Sequence, residues 1–444
     1  MARQKLVAFL FFLTAVTLTA VTLWFVSPKI IAALPYRVKS RLPAAVVYLA
    51  VTPPPATALP APAAPAPPPA VPPAIILPAT SPQPPTPTPS PAPPRPLTPA
   101  PLYTPTPSPP PPSPTPLPAA VRLENISIVP QKFNNCGPAN LAINLAYYGR
   151  ADTQQDIARI IRPTYEDRNV SPWEMVNYVN NQTPLRAQTF SGGDLTVLKE
   201  LLAAGFPVII EKGLLPSAWE GWMGHYLTLV GYDEAQQQFS TFDTFLGPWD
   251  SSGRAETYEF IETYWQHFNY TFIIVYPPEA ETVIEEIVGP ERVDPLKMWQ
   301  QTAVKAQNDI QSDPENAFAW FNLGASLTRL GQLNDDATYY ADAAAAFDQA
   351  RTLGLPWRML WYQFQPYEAY LANGRAADVL TLAQATLESG GGQFVEETWF
   401  YRGRAWQQQG ELSRAAADYR RALELKPGWP QAEEALETLN QPTP

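Results

Sequence analysis

Apolar and polar positions divide the chain into stretches that obey different periodicities. Leu6–Val26 is an apolar run of 21 residues without a charge, long enough to cross a hydrocarbon layer of about 30 Å. Arg3 and Lys5 precede it and no good small-residue cleavage site follows. The expectation is an uncleaved signal anchor, with residues 1–27 as a transmembrane helix. Residues 28–51 then form a basic juxtamembrane segment, and residues 52–120 show neither helical nor strand periodicity.

Residues 121–280 begin with helical spacing and end with strand spacing. Cys136–Tyr148 has apolar residues at helical intervals, Pro138 in the first turn and Gly149 as a stop. Further helices are predicted over Asp152–Ile161, over Ser171–Asn180, where Glu174 stands three residues after Ser171, and over Asp194–Ala204. Beyond Gly205 the runs Phe206–Glu211, Tyr226–Tyr232, Phe239–Asp243 and Tyr270–Tyr276 are β-branched or aromatic and separated by polar turns. Helices followed by mostly antiparallel strands make an α+β domain.

Residues 290–440 turn helical again and repeat. Trp399, Gly403, Trp406, Gly410, Ala415, Tyr419, Ala422 and Pro427 fall at the spacings of a tetratricopeptide repeat. Trp320, Leu323, Gly324 and Leu327 open an earlier copy, whose second helix is expected to be delayed by about seven residues around NDDATYYAD. A weaker copy lies around Tyr370, Gly374 and Ala383. With flanking helices at Asp294–Ile310 and Gln431–Leu439, the expectation is an all-α solenoid that offers an interaction surface to a protein partner.

Composition sharpens this division. Of the 54 prolines, 32 lie between Pro53 and Pro118, where they remove backbone donors and fix φ. The expected state is a disordered, polyproline-like linker reaching on the order of 200 Å when extended. Residues 1–121 carry seven basic groups and no acid, which leaves 23 basic against 41 acidic residues in the rest. That body repels phosphates, so no nucleic-acid partner is expected. Lys29, Arg37, Lys39 and Arg41 follow the apolar run, and a simple charge count would place that side in the cytoplasm. The long uncharged stalk argues instead for an extracytoplasmic body at the cell membrane, with those basic residues lying on anionic lipid.

One cysteine excludes a disulfide within the chain and a zinc site built from several thiolates. Two distant histidines make no ligand cluster, and no phosphate-cradling loop precedes a helix. No metal, nucleotide or other cofactor is expected.

The chemistry concentrates in a few residues. Cys136 opens a predicted helix, where free N–H groups and the helix dipole favour thiolate over thiol. Gln131 upstream can offer an amide donor to an oxyanion. His225 opens a predicted strand and faces its target with little rotational freedom. If residues 233–238 form a hairpin turn, Asp243 comes to the same sheet edge as His225 and can orient the imidazole. His267 has no such company and reads as a helix-end or loop residue. Asp233 reads as turn chemistry. Trp219, Glu220 and Trp222 lie in a loop that can wall a cleft.

Three blocks carry a resemblance: Pro130-Gln131 followed by Cys136-Gly137-Pro138, then Gly224-His225-Tyr226 leading to Val230-Gly231-Tyr232-Asp233, then Asp243. Over Ile128–Pro278, about a third of the chain, they resemble the bacteriocin-processing double-glycine peptidases in their stand-alone form, which are papain-like cysteine peptidases. The resemblance implies Cys136 as nucleophile, His225 as general base and acid, Asp243 as orienting group and Gln131 as oxyanion donor, acting on a peptide or protein. Gln131 stands five residues before Cys136, where six is commoner in that superfamily. The transporter and nucleotide-binding parts of bacteriocin exporters are not found in this sequence, so cleavage of a double-glycine leader is not implied. Two other readings fit the same residues: transglutaminase-like acyl transfer, and a non-catalytic peptide-binding adaptor that keeps the cleft.

Overall fold

The computed structural model describes residues 58–63, 116–217 and 220–440. The expected membrane span, the basic segment after it and most of the proline-rich stretch lie outside these residues. No helix among the described residues is long and apolar enough to cross a membrane.

The first unit is a sheet with helices. In chain order it comprises β1 (Ala120–Arg122), α1 (Cys136–Tyr147), α2 (Gln154–Ile161), α3 (Pro172–Gln182), β2 (Arg186–Phe190), α4 (Leu195–Ala203), β3 (Val208–Leu214), β4 (Met223–Asp233), β5 (Gln238–Phe242), β6 (Arg254–Thr257), α5 (Tyr258–Trp265) and β7 (Phe272–Tyr276). The four expected helices form close to their predicted limits, and three of them, α2, α3 and α4, are capped locally. The Thr153 hydroxyl accepts from Asp156 N–H, the Glu174 carboxylate accepts from Ser171 N–H, and Asp194 accepts from Val197 N–H.

The sheet runs β2-β7-β3-β4-β5-β6, with β1 paired to the far end of β4, and every pairing is antiparallel. β3 and β7 are buried along their whole length. Separate apolar clusters cover the two faces: Ile209, Tyr226 and Ile273 pack with α1 and α3, while Val208, Leu227 and Phe272 pack with α4 and α5. Register slips between Leu229 and Gly231. A Cβ at Gly231 would stand 2.3 Å from the Val121 carbonyl, so the close approach of β1 requires glycine there.

Strand β2, strand β6 and helix α5 were not expected. RAQTF is short and half polar, and YEFIETYW carries aromatic residues that favour a strand. The Thr257 side chain, accepting from Phe260 N–H, starts a helix there instead.

The C-terminal unit is helical: α6 (Glu281–Val288), α7 (Pro290–Val293), α8 (Pro295–Ser312), α9 (Ala317–Asn334), α10 (Ala337–Leu353), α11 (Gln365–Ala372), α12 (Ala376–Glu388), α13 (Glu396–Gln408), α14 (Leu412–Leu425) and α15 (Pro430–Asn440). The expected delay in the first repeat does not occur as a loop. Helix α9 runs on to Asn334 and α10 starts at Ala337, so two longer helices absorb the extra residues. A second departure falls in the proline-rich stretch, where residues 58–63 pack on this unit and Leu59 is 5% exposed.

The two units are packed together. His267 stacks on Phe318 at 3.6 Å, Asn322 donates to the Gln266 carbonyl at 2.7 Å and Asn169 donates to the Trp361 carbonyl at 2.6 Å. At the far end Lys426 pairs with Glu174 of α3 and, at 3.1 Å, with Glu396. Glu174, Glu396, Glu397 and Asp167 are all buried there. Burial first, then their mutual repulsion, raises Glu397 and Asp167 well above the usual carboxylate range; Lys426 counters the same rise at Glu174. Removing one partner of a buried ion pair costs about 3–5 kcal/mol.

Lys426→Met is expected to lower unfolding stability by about that amount at neutral pH. Because Glu174, Glu397 and Asp167 have raised folded-state pKa values, the folded protein keeps them protonated above the ordinary carboxylate range, and the cost grows as pH rises through it. The deficit in denaturant titrations should therefore shrink toward pH 5. Equal stability of variant and wild type at pH 7 would contradict this.

Candidate active site

Helix α1 starts on Cys136, and the loop leading into it is fixed by two side chains. Gln154 accepts from Lys132 N–H at 2.8 Å and donates to the Pro130 carbonyl at 3.0 Å. Arg162 donates to the Asn135 side chain at 2.7 Å and to the Phe133 carbonyl at 3.3 Å. Two buried asparagines on α1 then tie the helix to β4. Asn140 donates to the Tyr226 carbonyl at 2.8 Å and to the Cys136 carbonyl at 2.9 Å, and accepts from the Thr228 hydroxyl at 2.8 Å. Asn144 donates to the same hydroxyl at 3.0 Å. Each buried amide left unpaired would cost about 1–3 kcal/mol, so this lattice sets where α1 stands along β4.

The lock brings the half-buried Cys136 into hydrogen-bonding contact with His225. His225 is 3% exposed. Its Nε2 lies 3.1 Å from Asp243 Oδ1, which leaves Nδ1 as the ring nitrogen for the thiol. Asp243 follows β5 directly and accepts from Phe245 N–H at 2.9 Å and Leu246 N–H at 2.8 Å. The antiparallel β4–β5 pair thus places residues 225 and 243 at one sheet edge. Cys136, His225 and Asp243 come together.

Their charges support one another. Burial pushes Asp243 up, but the charge and hydrogen bond of His225, with the Leu246 N–H, bring it down to about 2. Burial pushes His225 down, and the charge and hydrogen bond of Asp243, then of Cys136, raise it to about 9. Burial pushes the Cys136 thiol up. The hydrogen bond and charge of His225, with the Tyr226 and Gly137 N–H groups, outweigh this and leave it below its ordinary value. Both shifts favour a thiolate facing an imidazolium over the neutral pair.

Gln131 sits on the same framework. Its N–H donates to the Thr244 carbonyl at 2.9 Å, and its side-chain oxygen accepts from the Thr244 hydroxyl at 2.8 Å. With the oxygen held, the amide NH2 is the group left to donate. The Asp243-Thr244 pair therefore orients both the carboxylate and this amide.

His267 lies in a short 3-10 turn (Gln266–Phe268) and accepts from Trp222 Nε1 at 3.0 Å. Burial and the Lys212 charge hold it neutral, with its pKa lowered to about 3. It belongs to the packing between units. Asp233 accepts from Gln236 N–H at 3.2 Å, as turn chemistry requires. Trp219 lies outside the described residues, while Trp222 stacks with Phe268 at 5.9 Å.

Sequence reasoning missed Asn140, Thr244 and Tyr362. Two asparagines four residues apart inside an otherwise apolar helix were the available clue to the first. Tyr362 had none, because it comes from the helical unit. Its ring covers Gly224, where a Cβ would meet Tyr362 Cγ at 2.9 Å. Its hydroxyl, pushed up to about 12 chiefly by burial, feels the charge at Cys136. Arg358 donates to the Glu220 carbonyl at 2.7 Å and holds this loop on the segment that leads to His225.

Residues 123–273, about a third of the chain, match the Peptidase_C39 like family, and residues 396–429 match the tetratricopeptide repeat. Among solved structures, a C39-like peptidase from Bacillus anthracis is 20% identical over 35% of this chain and 96% of its own, at a TM-score of 0.29. The peptidase domain of Streptococcus ComA, a bi-functional ABC transporter of a quorum-sensing pathway, is 16% identical over 34% of this chain and 99% of its own, at a TM-score of 0.27. A double-glycine-motif protease from an AMS/PCAT transporter, solved with its leader peptide, is 17% identical over 35% and 98%, at a TM-score of 0.26. No curated protein matches the chain. The chain thus joins a region that matches the Peptidase_C39 like family to a helical region that matches a tetratricopeptide repeat.

Proposed function

We propose that the protein hydrolyses peptide bonds through Cys136, His225 and Asp243 in a papain-like cleft. The observation that carries the reading is one buried imidazole shared between a thiol at a helix start and a carboxylate at a strand end. The Cys136 thiolate attacks a peptide carbonyl, and the resulting oxyanion meets the Cys136 N–H and the Gln131 amide. His225 protonates the leaving amine, and water activated by His225 then hydrolyses the thioester. Asp243 keeps the imidazole charged and oriented. Tyr362 stands over Gly224 beside the site, and the substrate is a peptide or protein segment. The apolar run at Leu6–Val26 and the proline-rich stretch support a single-pass anchor holding this body outside the cytoplasm.

Cys136→Ala and His225→Ala are each expected to reduce turnover of a cleaved peptide by at least about 10³-fold, and Cys136→Ala leaves the unfolding transition in place. Cys136→Ala retaining full activity would exclude the mechanism. An amine acceptor added to the assay should give no mass gain on the acyl product; transamidation would favour the acyl-transferase reading.

The pH profile follows from the same charges. Activity rises as the thiol ionises below its ordinary range and falls as His225 loses its proton near pH 9. Since Asp243 is the main group raising His225, Asp243→Asn should move the alkaline limb down by about 1–2 pH units. An unmoved limb in kcat/KM would show that Asp243 does not set the imidazole's charge.

A further inference from the structure

Residues 58–63 belong to the proline-rich stretch, yet they lie against the helical unit with specific pairing. Ala58 forms an isolated antiparallel bridge with Pro356, and Leu59 N–H donates to the Leu355 carbonyl at 3.0 Å. The Leu59 side chain is buried in the apolar cluster that contains Leu355, Met359 and Tyr370. The carbonyl of Pro60 accepts from Arg351 Nε at 2.8 Å.

Arg351 makes this a built site. It is 3% exposed, and its Nη1 is held by the Tyr370 hydroxyl at 2.9 Å and by Asp378 at 3.1 Å. Asp348, against Arg351 at 3.5 Å, is itself bridged by Arg375 at 2.7 Å. The fork is thus oriented before any ligand arrives, with Nε turned to the docked backbone. A proline in the ligand suits this geometry. It fixes the extended backbone beforehand, lacks an N–H that would need a partner, and presents its carbonyl to the buried cation.

We propose that this surface is a recognition site for an extended Leu-Pro-Ala segment, and that Leu59-Pro60-Ala61 is its ligand within the chain. The triad also occurs at Leu42-Pro43-Ala44, Leu77-Pro78-Ala79 and Leu117-Pro118-Ala119. The last of these is engaged elsewhere, since Tyr232 donates to the Pro118 carbonyl at 2.8 Å. Docking holds both ends of residues 64–115 on the body. It withdraws that stretch, about 160 Å when fully extended at about 3.1 Å per residue, from the distance between the N-terminal apolar run and the active site. Release of the triad by a competing Leu-Pro-Ala segment would lengthen the reach of the peptidase. None of this depends on Cys136 being catalytic.

The test uses the full-length chain and a labelled synthetic peptide of residues 55–64, read by fluorescence anisotropy. In the variant Leu42→Asp/Leu59→Asp/Leu77→Asp the site loses its tethered competitors. The peptide is expected to bind this variant at least about tenfold more tightly than wild type, because a tethered ligand acts at about millimolar effective concentration. A control peptide with Asp at the Leu59 position should not bind. Equal affinity for the two proteins would overturn docking within the chain. Failure of the triple variant to bind, or equal binding of the Asp peptide, would overturn the recognition site itself.

Discussion

A thiol on a helix and an imidazole on a strand share a proton only when the two elements are locked in register. In this protein the lock is Asn140, which reaches from α1 to the Tyr226 carbonyl, the Thr228 hydroxyl and the Cys136 carbonyl at once. The rest of the site follows from that placement. Nε2 of His225 is turned to Asp243, the thiol meets the other nitrogen, and three burial costs that would separately disfavour charge are offset by their mutual attraction. An apolar α1 packed equally well would leave the helix free to slide by the fraction of an ångström that such a pair cannot tolerate.

The helical unit is more than an attached module. Tyr362 covers Gly224, the residue before His225, and Arg358 ties the same loop to the strand's approach. A side chain at position 224 would collide with both Phe268 and Tyr362, so the glycine serves the contact between units. The acidic cluster around Lys426 and the His267–Phe318 stack close the same interface at other points. The surroundings of His225 are therefore set by residues far apart in sequence.

Much of this was legible in the sequence where local rules govern. The caps at Thr153, Ser171 and Asp194 mark helix starts, and the β4–β5 hairpin brings residues 225 and 243 together through its period of two. Cys136 at a helix start and His225 on a strand are readable for the same reason. What escaped depends on tertiary partners. Helix α5 overrides the strand preference of its aromatic residues, and Asn140 reads as a polar interruption until its strand is known. Tyr362 comes beside His225 only once the two units are packed. Residues 58–63 read as featureless linker because composition describes the average of a stretch, whereas one leucine with a waiting pocket is a local exception.

The proposed chemistry requires His225 to hold Cys136 ionised. The most direct measurement is the ultraviolet absorbance of the thiolate as a function of pH, taken as the difference between wild type and Cys136→Ala. A thiolate already present at neutral pH, titrating well below the ordinary cysteine value of about 8.5, is the expected result. A thiol that ionises only near that ordinary value would contradict it.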